Sequence, residues 1–222
     1  MDETQVLEIL QKVGAFRSGH FVFTSGLHAD TYVNKDAIYP YTNETSELCR
    51  AMAERFSSKG GSASGGKDLG IEIVIGPAVA AAILAQWTAH HLSEITGREV
   101  YAAYADKDGQ GGFIIKRGYD QLIKGKKTLV VEDLTTTGGS IRKVVDAVRS
   151  AGAEVVGAMA VCNRGNVTKE EVGNPSLFES LLNVQLEQWP AEECDLCKRG
   201  IPVNTDVGHG KEFLAKKASK NS

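Results

Sequence analysis

No run of apolar residues in this chain approaches the ~20 needed to cross a bilayer. Cysteine is scarce, with four in 222 residues, too few for a disulfide framework in a chain of this size. Charge of one sign is missing as well: 25 Lys and Arg stand against 28 Asp and Glu, a formal net charge of −3. Neither a nucleic-acid surface nor an acidic-membrane binder is therefore expected. Met1 to Phe16 is amphipathic and lacks the basic-then-apolar order of a signal peptide. These absences leave a soluble, cytoplasmic protein as the expectation. A single domain over 1–222 is expected, long enough to bury a substantial core. Lys211, Lys216, Lys217 and Lys220 lie among small polar residues near the end, which reads as a solvated, frayed terminus.

The chain is rich in strand and helix signals that alternate. Val6, Leu7, Leu10 and Val13 give one face to an opening helix that ends near Gly14. Short strands are expected at Phe21 to Thr24 and Thr31 to Asn34, around Ser25-Gly26. Thr42 is positioned to cap a helix carrying Leu48, Met52 and Phe56. Residues 57–70 are Gly/Ser-rich and read as a surface loop. Gly61 to Lys67 within it only superficially resembles a nucleoside-triphosphate loop, because Asp68 stands where a hydroxyl should hold magnesium and the loop precedes its strand. Then come a strand at Ile71 to Ile75, a helix from about Val79 to Thr96 and a strand at Val100 to Tyr104. A polar, Gly-rich loop spans Asp106 to Gly112, and the last strand is expected at Val155 to Cys162. The spacing predicts an α/β fold with a central parallel sheet flanked by helices. Ligands then belong at the carboxyl ends of the strands.

Thr128 to Ser140 carries the sharpest signal. An apolar run stops at Glu132 and Asp133; Leu134, Thr135, Thr136, Thr137, Gly138, Gly139 and Ser140 follow, then the helical pattern Ile141, Val144, Val145, Val148. With Ser140 as N-cap, the loop sits at a helix amino end, where backbone N–H groups and the dipole favour a phosphate. The two carboxylates would repel that phosphate and suit sugar hydroxyls or a metal-bound sugar beside it. Gly76, Pro77, Ala78 and Val79 form a second small-residue loop from strand to helix, open to two readings: diphosphate binding, or close helix–strand packing. Lys107 is either a flap residue that closes over a diphosphate or a solvated hairpin tip. Cys194-x-x-Cys197 is half a zinc site at best, for which His209 and a fourth ligand would be needed; a turn with two thiols is the simpler reading.

The string from Glu132 to Ser140 resembles the phosphoribosyl diphosphate (PRPP) motif of type I phosphoribosyltransferases. Tyr104-Ala-Asp-Lys107, Lys116-Arg-Gly-Tyr119, Phe23 to Tyr32 and Cys194 to Pro202 are similar to segments of the orotate phosphoribosyltransferases within that family. The resemblance implies the type I fold with a small N-terminal hood, about residues 1–40 plus a C-terminal segment, on a core of about 41–165. It implies transfer of 5-phosphoribosyl from PRPP to orotate in pyrimidine synthesis, with Mg²⁺, in a homodimer. By position, Glu132 to Ser140 would bind PRPP, with Asp133 among the catalytic residues, and Gly76 to Val79 the diphosphate. Thr136 and Arg164 would bind orotate. Lys107 would meet the diphosphate, in a neighbouring subunit's site, as a catalytic residue. Asp106-Lys107 stands where the family has Glu-Arg. Two alternatives remain at this level: a purine-specific phosphoribosyltransferase, and a PRPP-sensing protein without catalysis.

Overall fold

The computed structural model describes residues 1–57 and 68–220; the nucleotide-loop look-alike at 61–67 lies outside them. Helix α1 (Glu3–Lys12) opens the chain under a reciprocal cap, with Asp2 accepting from Gln5 N–H and the Gln5 side chain accepting from Asp2 N–H. Strands β1 (Phe16–Val22) and β2 (His28–Val33) pair antiparallel as a separate two-stranded sheet. Both lie somewhat earlier in the chain than the apolar pattern suggested, because Arg17 and Ser18 join the ladder through backbone bonds although their side chains are exposed.

Helix α2 (Thr42–Arg55) starts at Thr42, with Tyr41 in the cap position and no side-chain cap. The capping expected of Thr42 is thus absent; Thr45 instead donates its hydroxyl to the Ile38 carbonyl. Next come β3 (Ile73–Pro77), α3 (Ala80–Thr96), β4 (Tyr101–Lys107), β5 (Phe113–Ile114), α4 (Tyr119–Ile123) and β6 (Lys127–Thr135). They are followed by α5 (Gly139–Ser150), β7 (Glu154–Asn163), β8 (Phe178–Asn183), α6 (Asp195–Lys198) and α7 (Gly210–Lys220). Among the described residues, six strands form the main sheet in the order β5-β4-β3-β6-β7-β8, all parallel except β5. Strand β8 was not anticipated. The lysine-bearing tail, expected to fray, forms α7, whose Phe213 ring packs edge-on against His28 at 4.7 Å.

Side chains alternate across the sheet as strand geometry requires. Leu129 and Val131 of β6 pack towards α1, α2 and α3, whereas Val130 packs towards α5 with Ile73, Ile75, Ile141 and Val145. Both faces are covered, which explains why the central strands read as continuous apolar runs. At one point the packing tolerates no side chain: a Cβ on Gly157 of β7 would collide with the ring of Phe56, itself 1% exposed. Gly157→Ala should therefore cost about 1–3 kcal/mol through overpacking. Adding Phe56→Leu should recover part of that loss. Thermal melts of the single and double variants check this, and simple additivity would refute the contact as the cause.

Candidate active site

The carboxyl end of β6 is the centre of the site. Its ladder with β7 continues through Glu132, Leu134 and Thr135, so the acids lie within the strand, one step apart, and point to opposite faces. Asp133, 2% exposed, turns towards the segment after β2: Lys35 Nζ stands 3.1 Å from Oδ2, and the Tyr39 hydroxyl donates to the same oxygen at 2.5 Å. Burial pulls the Lys35 pKa down, but Asp133 outweighs it and the net shift is upward. Burial, with Asp133 next, drives the Tyr39 hydroxyl far above its ordinary value.

Glu132 lies on the α5 side, near the Ser140 hydroxyl, and accepts from the Asp133 N–H at 3.1 Å. It is also buried, and burial followed by the neighbouring charge of Asp133 pushes its pKa up to about 7 despite the opposing Ser140 bond. The strand tip therefore holds one clamped carboxylate and one whose charge is poorly compensated.

Past the acids, Thr136, Thr137 and Ser140 are exposed around the amino end of α5. The first N–H groups of a helix have no intrahelical acceptor, and the dipole adds partial positive charge there. The cap is Gly138, left-handed at φ 75°, and not Ser140, which lies inside the first turn. Thr135 differs from its neighbours: its side chain is buried and its hydroxyl accepts from Gly138 N–H at 3.2 Å, which fixes the loop.

Arg164 and Thr136, assigned a shared role by resemblance, meet here. Arg164 Nε donates to Thr136 Oγ1 at 3.0 Å, and Arg164 N–H donates to the Thr135 carbonyl at 3.0 Å. The approach of the two loops is close enough that a Cβ on Gly165 would strike the Thr136 carbonyl. Arg164 also stands over the Phe23 ring at 6.0 Å. Phe23, Tyr32, Lys35, Leu134 and Arg164 line a cleft of about 470 Å³ between the two-stranded sheet and the main sheet, large enough for a small aromatic acid.

A second cleft, about 620 Å³, is lined by Lys107, Phe113, Thr137, Gly139, Ser140 and Lys143. Lys107 is the last residue of β4 and pairs with Phe113, so the loop expected to start at Asp106 is shorter and hangs from a hairpin. Asp108 ties that loop by accepting from Gln110 and Gly112 N–H at 2.7 and 2.8 Å. Asp106 binds Arg117 Nε at 2.9 Å, with Lys116 at 3.6 Å.

In the Gly76 loop a Cβ on Gly76 would collide with the Ala81 carbonyl, so that glycine answers first to helix–strand packing. Val79 is 83% exposed and available to a ligand. Lys35, Tyr39 and Lys143 were missed from sequence. Lys143 carried one usable signal, its place one turn after Ser140 on the helix that follows the Thr/Gly loop.

Residues 36–191 match the model of the phosphoribosyl transferase domain. The orotate phosphoribosyltransferase of Caldanaerobacter subterraneus subsp. tengcongensis is 37% identical over 91% of this chain and 96% of its own length. The chain belongs to the orotate phosphoribosyltransferase family. A crystal structure of the Mycobacterium tuberculosis orotate phosphoribosyltransferase superposes with a TM-score of 0.63 at 25% identity, covering 82% of this chain and 97% of that one. The same mycobacterial enzyme in complex with PRPP superposes at 0.55 and 23% identity, over 82% of this chain and 91% of that one, and shows the shared fold. Among the described residues, no helix of this family member is long and apolar enough to cross a membrane.

The raised Glu132 pKa has a measurable consequence. A carboxyl that keeps its proton longer when folded than when unfolded favours the folded state at low pH. That stabilisation is lost as pH rises from the ordinary carboxylate range through about 7. Glu132→Gln removes the penalty at high pH. Its melting temperature relative to wild type should rise by roughly 3–5 °C between pH 5 and pH 8 without ligands. An equal offset at both pH values would show that Glu132 ionises normally in the folded chain.

Proposed function

We infer that this protein transfers 5-phosphoribosyl from PRPP to orotate, giving orotidine 5′-phosphate and diphosphate in pyrimidine nucleotide synthesis. The observation that supports the reading is the join between Arg164 and Thr136, with a guanidinium between the Thr/Gly loop and an aromatic-lined cleft. The bond to Thr136 uses Nε, and the terminal nitrogens of the planar fork suit the orotate carboxylate. A purine offers no such carboxylate, which weighs against salvage of purine bases.

In the reaction a ring nitrogen of anionic orotate forms a bond to C1 of the ribose while the C1–O bond to diphosphate breaks. The leaving diphosphate takes the bonding electron pair. The base is already deprotonated, so positioning and electrostatics do most of the work. The helix α5 amino end and the exposed hydroxyls of Thr136, Thr137 and Ser140 suit the 5-phosphate. Glu132 and Asp133 suit the ribose hydroxyls. The Gly76 loop suits the diphosphate, and Lys107 charge developing on it.

Mg²⁺ is the cation the resemblance implies: the Glu132 carboxylate would offer it a hard oxygen donor, and a cation would offset the charge that burial leaves poorly compensated there, whereas Asp133 would first have to release Lys35 and Tyr39. Bound there with substrate, it would supply charge neutralisation to the diphosphate oxygens.

A homodimer with Lys107 reaching into the partner's site is the arrangement the resemblance implies. The pairing of β4 with β5 supports a contact within one chain instead, because it holds Lys107 beside its own phosphate loop. Mixing Lys107→Ala with Arg164→Ala separates the two arrangements. Action across an interface would restore about a quarter of wild-type activity in the mixture, whereas action within the chain restores none.

With PRPP and Mg²⁺, orotate absorbance should fall, while adenine, hypoxanthine and uracil should remain unconsumed. Arg164→Ala should lower kcat/KM for orotate by about 10- to 100-fold, with the PRPP KM changed only a few-fold. Lys107→Ala should lower kcat by about 10²- to 10³-fold with a much smaller effect on PRPP binding. Consumption of a purine, or an Arg164 variant as active on orotate as wild type, would sink the assignment.

A further inference from the structure

Away from the active site, four metal-ligating side chains meet at one point. His20 of β1 and His28 of β2 are buried, as is Cys194; Cys197 of α6 is half-buried. One ligand atom from each lies within 4.8 Å of all the others. His20 Nε2 stands 3.6 Å from Cys194 Sγ and 3.7 Å from Cys197 Sγ, and His28 Nδ1 stands 3.5 Å from Cys197 Sγ. Zinc bonds of about 2.0–2.1 Å to nitrogen and 2.3 Å to sulfur, at tetrahedral angles, place N and S about 3.5 Å apart. The three N···S approaches already have that spacing. His20 Nε2 and His28 Nδ1, 2.8 Å apart, would open to about 3.3 Å around the ion.

The ring of His20 is set for coordination. Its Nδ1 lies 2.8 Å from the Ile201 carbonyl, which can only accept, so Nδ1 carries the hydrogen. The lone pair of neutral His20 then sits on Nε2 and faces the cluster. A backbone carbonyl holding the far nitrogen is the usual support of a metal-bound histidine.

We propose that His20, His28, Cys194 and Cys197 hold one structural zinc ion. Both thiols bind as thiolates and release their protons to solvent, so the two negative sulfurs balance the divalent charge. Four protein ligands close the coordination sphere, leaving no position for substrate or a reactive water. The ion would fasten the β1–β2 sheet to α6, a link spanning 174 positions between His20 and Cys194. That sheet carries one wall of the Arg164 cleft. His209, the histidine a zinc site would have needed on the sequence reading that preferred a simple turn, pairs with Thr24 Oγ1 at 2.9 Å. A second group on α3, His90, His91 and Glu94, already has Arg50 on Glu94 at 3.0 Å and offers no thiolate.

The test uses untagged full-length protein, purified without chelator and under reducing conditions. Elemental analysis should find about one zinc per chain. Replacement by Co²⁺ should give the intense visible bands of a tetrahedral site together with sulfur-to-cobalt charge transfer. Cys194→Ser and His28→Ala should lose the metal and melt at lower temperature, while His209→Ala and His90→Ala retain it. If the ligand variants fail to fold, the cobalt spectrum of the wild type decides alone. The assignment is overturned if the reduced wild type binds neither zinc nor cobalt with thiolate character. It is equally overturned by loss of the ion in His90→Ala.

Discussion

Two carboxylates buried one residue apart at the end of a central strand are the constraint around which the site is organised. Like charges so close in a low-dielectric setting raise each other's cost of ionisation. The protein resolves this by treating them unequally. Strand alternation sends Asp133 to the face where Lys35 and Tyr39 hold it, and Glu132 to the face where Ser140 offers a single hydroxyl. Glu132 is left with an electrostatic deficit, and a bound cation or a pair of sugar hydroxyls is what would relieve it. A site whose own charges are unsatisfied until substrate arrives stores binding energy as preorganisation, the condition under which fixed dipoles act most strongly.

The same acids bear on where a phosphate could sit. A phosphate beside Glu132 and Asp133 would be repelled unless something equally local attracted it. The amino end of α5 supplies that attraction one turn further along the chain, and Lys143 and Lys107 add positive charge at the rim of the same cleft. In the proposed reaction, separate elements would handle opposite ends of one ligand: acids for the diol, helix end and lysines for its anionic groups. The Arg164 cleft lies on the opposite side of the strand tip, next to Lys35, where a third anionic group could be met.

This division governs how much could be read from sequence. The stretch from Thr128 to Ser140 was legible because strand, acids, loop and helix start are contiguous, and each residue type has a local physical reason. Arg164 was legible only through resemblance, since an arginine after a strand is otherwise an ordinary surface residue. Lys35 and Tyr39 were not legible, because their partner Asp133 is 98 and 94 positions away. The extension of β4 to Lys107 escaped for a different reason. Its last residues are polar, and an edge ladder is held by backbone bonds that leave no hydrophobic pattern. The cysteine pair read from its spacing as a simple turn, and the structure sets it beside His20 and His28, with His209 elsewhere, joining segments that no local window contains.

The hood is a small, two-stranded sheet, and an isolated hairpin of that size is marginally stable in water. It must nevertheless hold Phe23 and Tyr32 in register with Arg164 on the main sheet for the cleft to have a shape. One anchor is electrostatic: Lys35 and Tyr39, on the chain leaving β2, grip Asp133 at the heart of the site. The other is at the far end of the hairpin, where the backbone of His28 pairs with Trp189 and the ring of His28 lies against Phe213 and the Cys194–Cys197 turn. Two anchors on opposite ends convert a marginal hairpin into a rigid wall. They differ in kind, because the first occupies the Asp133 carboxylate at the strand tip, whereas the second lies outside the cleft. A hood held only by the first would loosen whenever a ligand competed for Asp133.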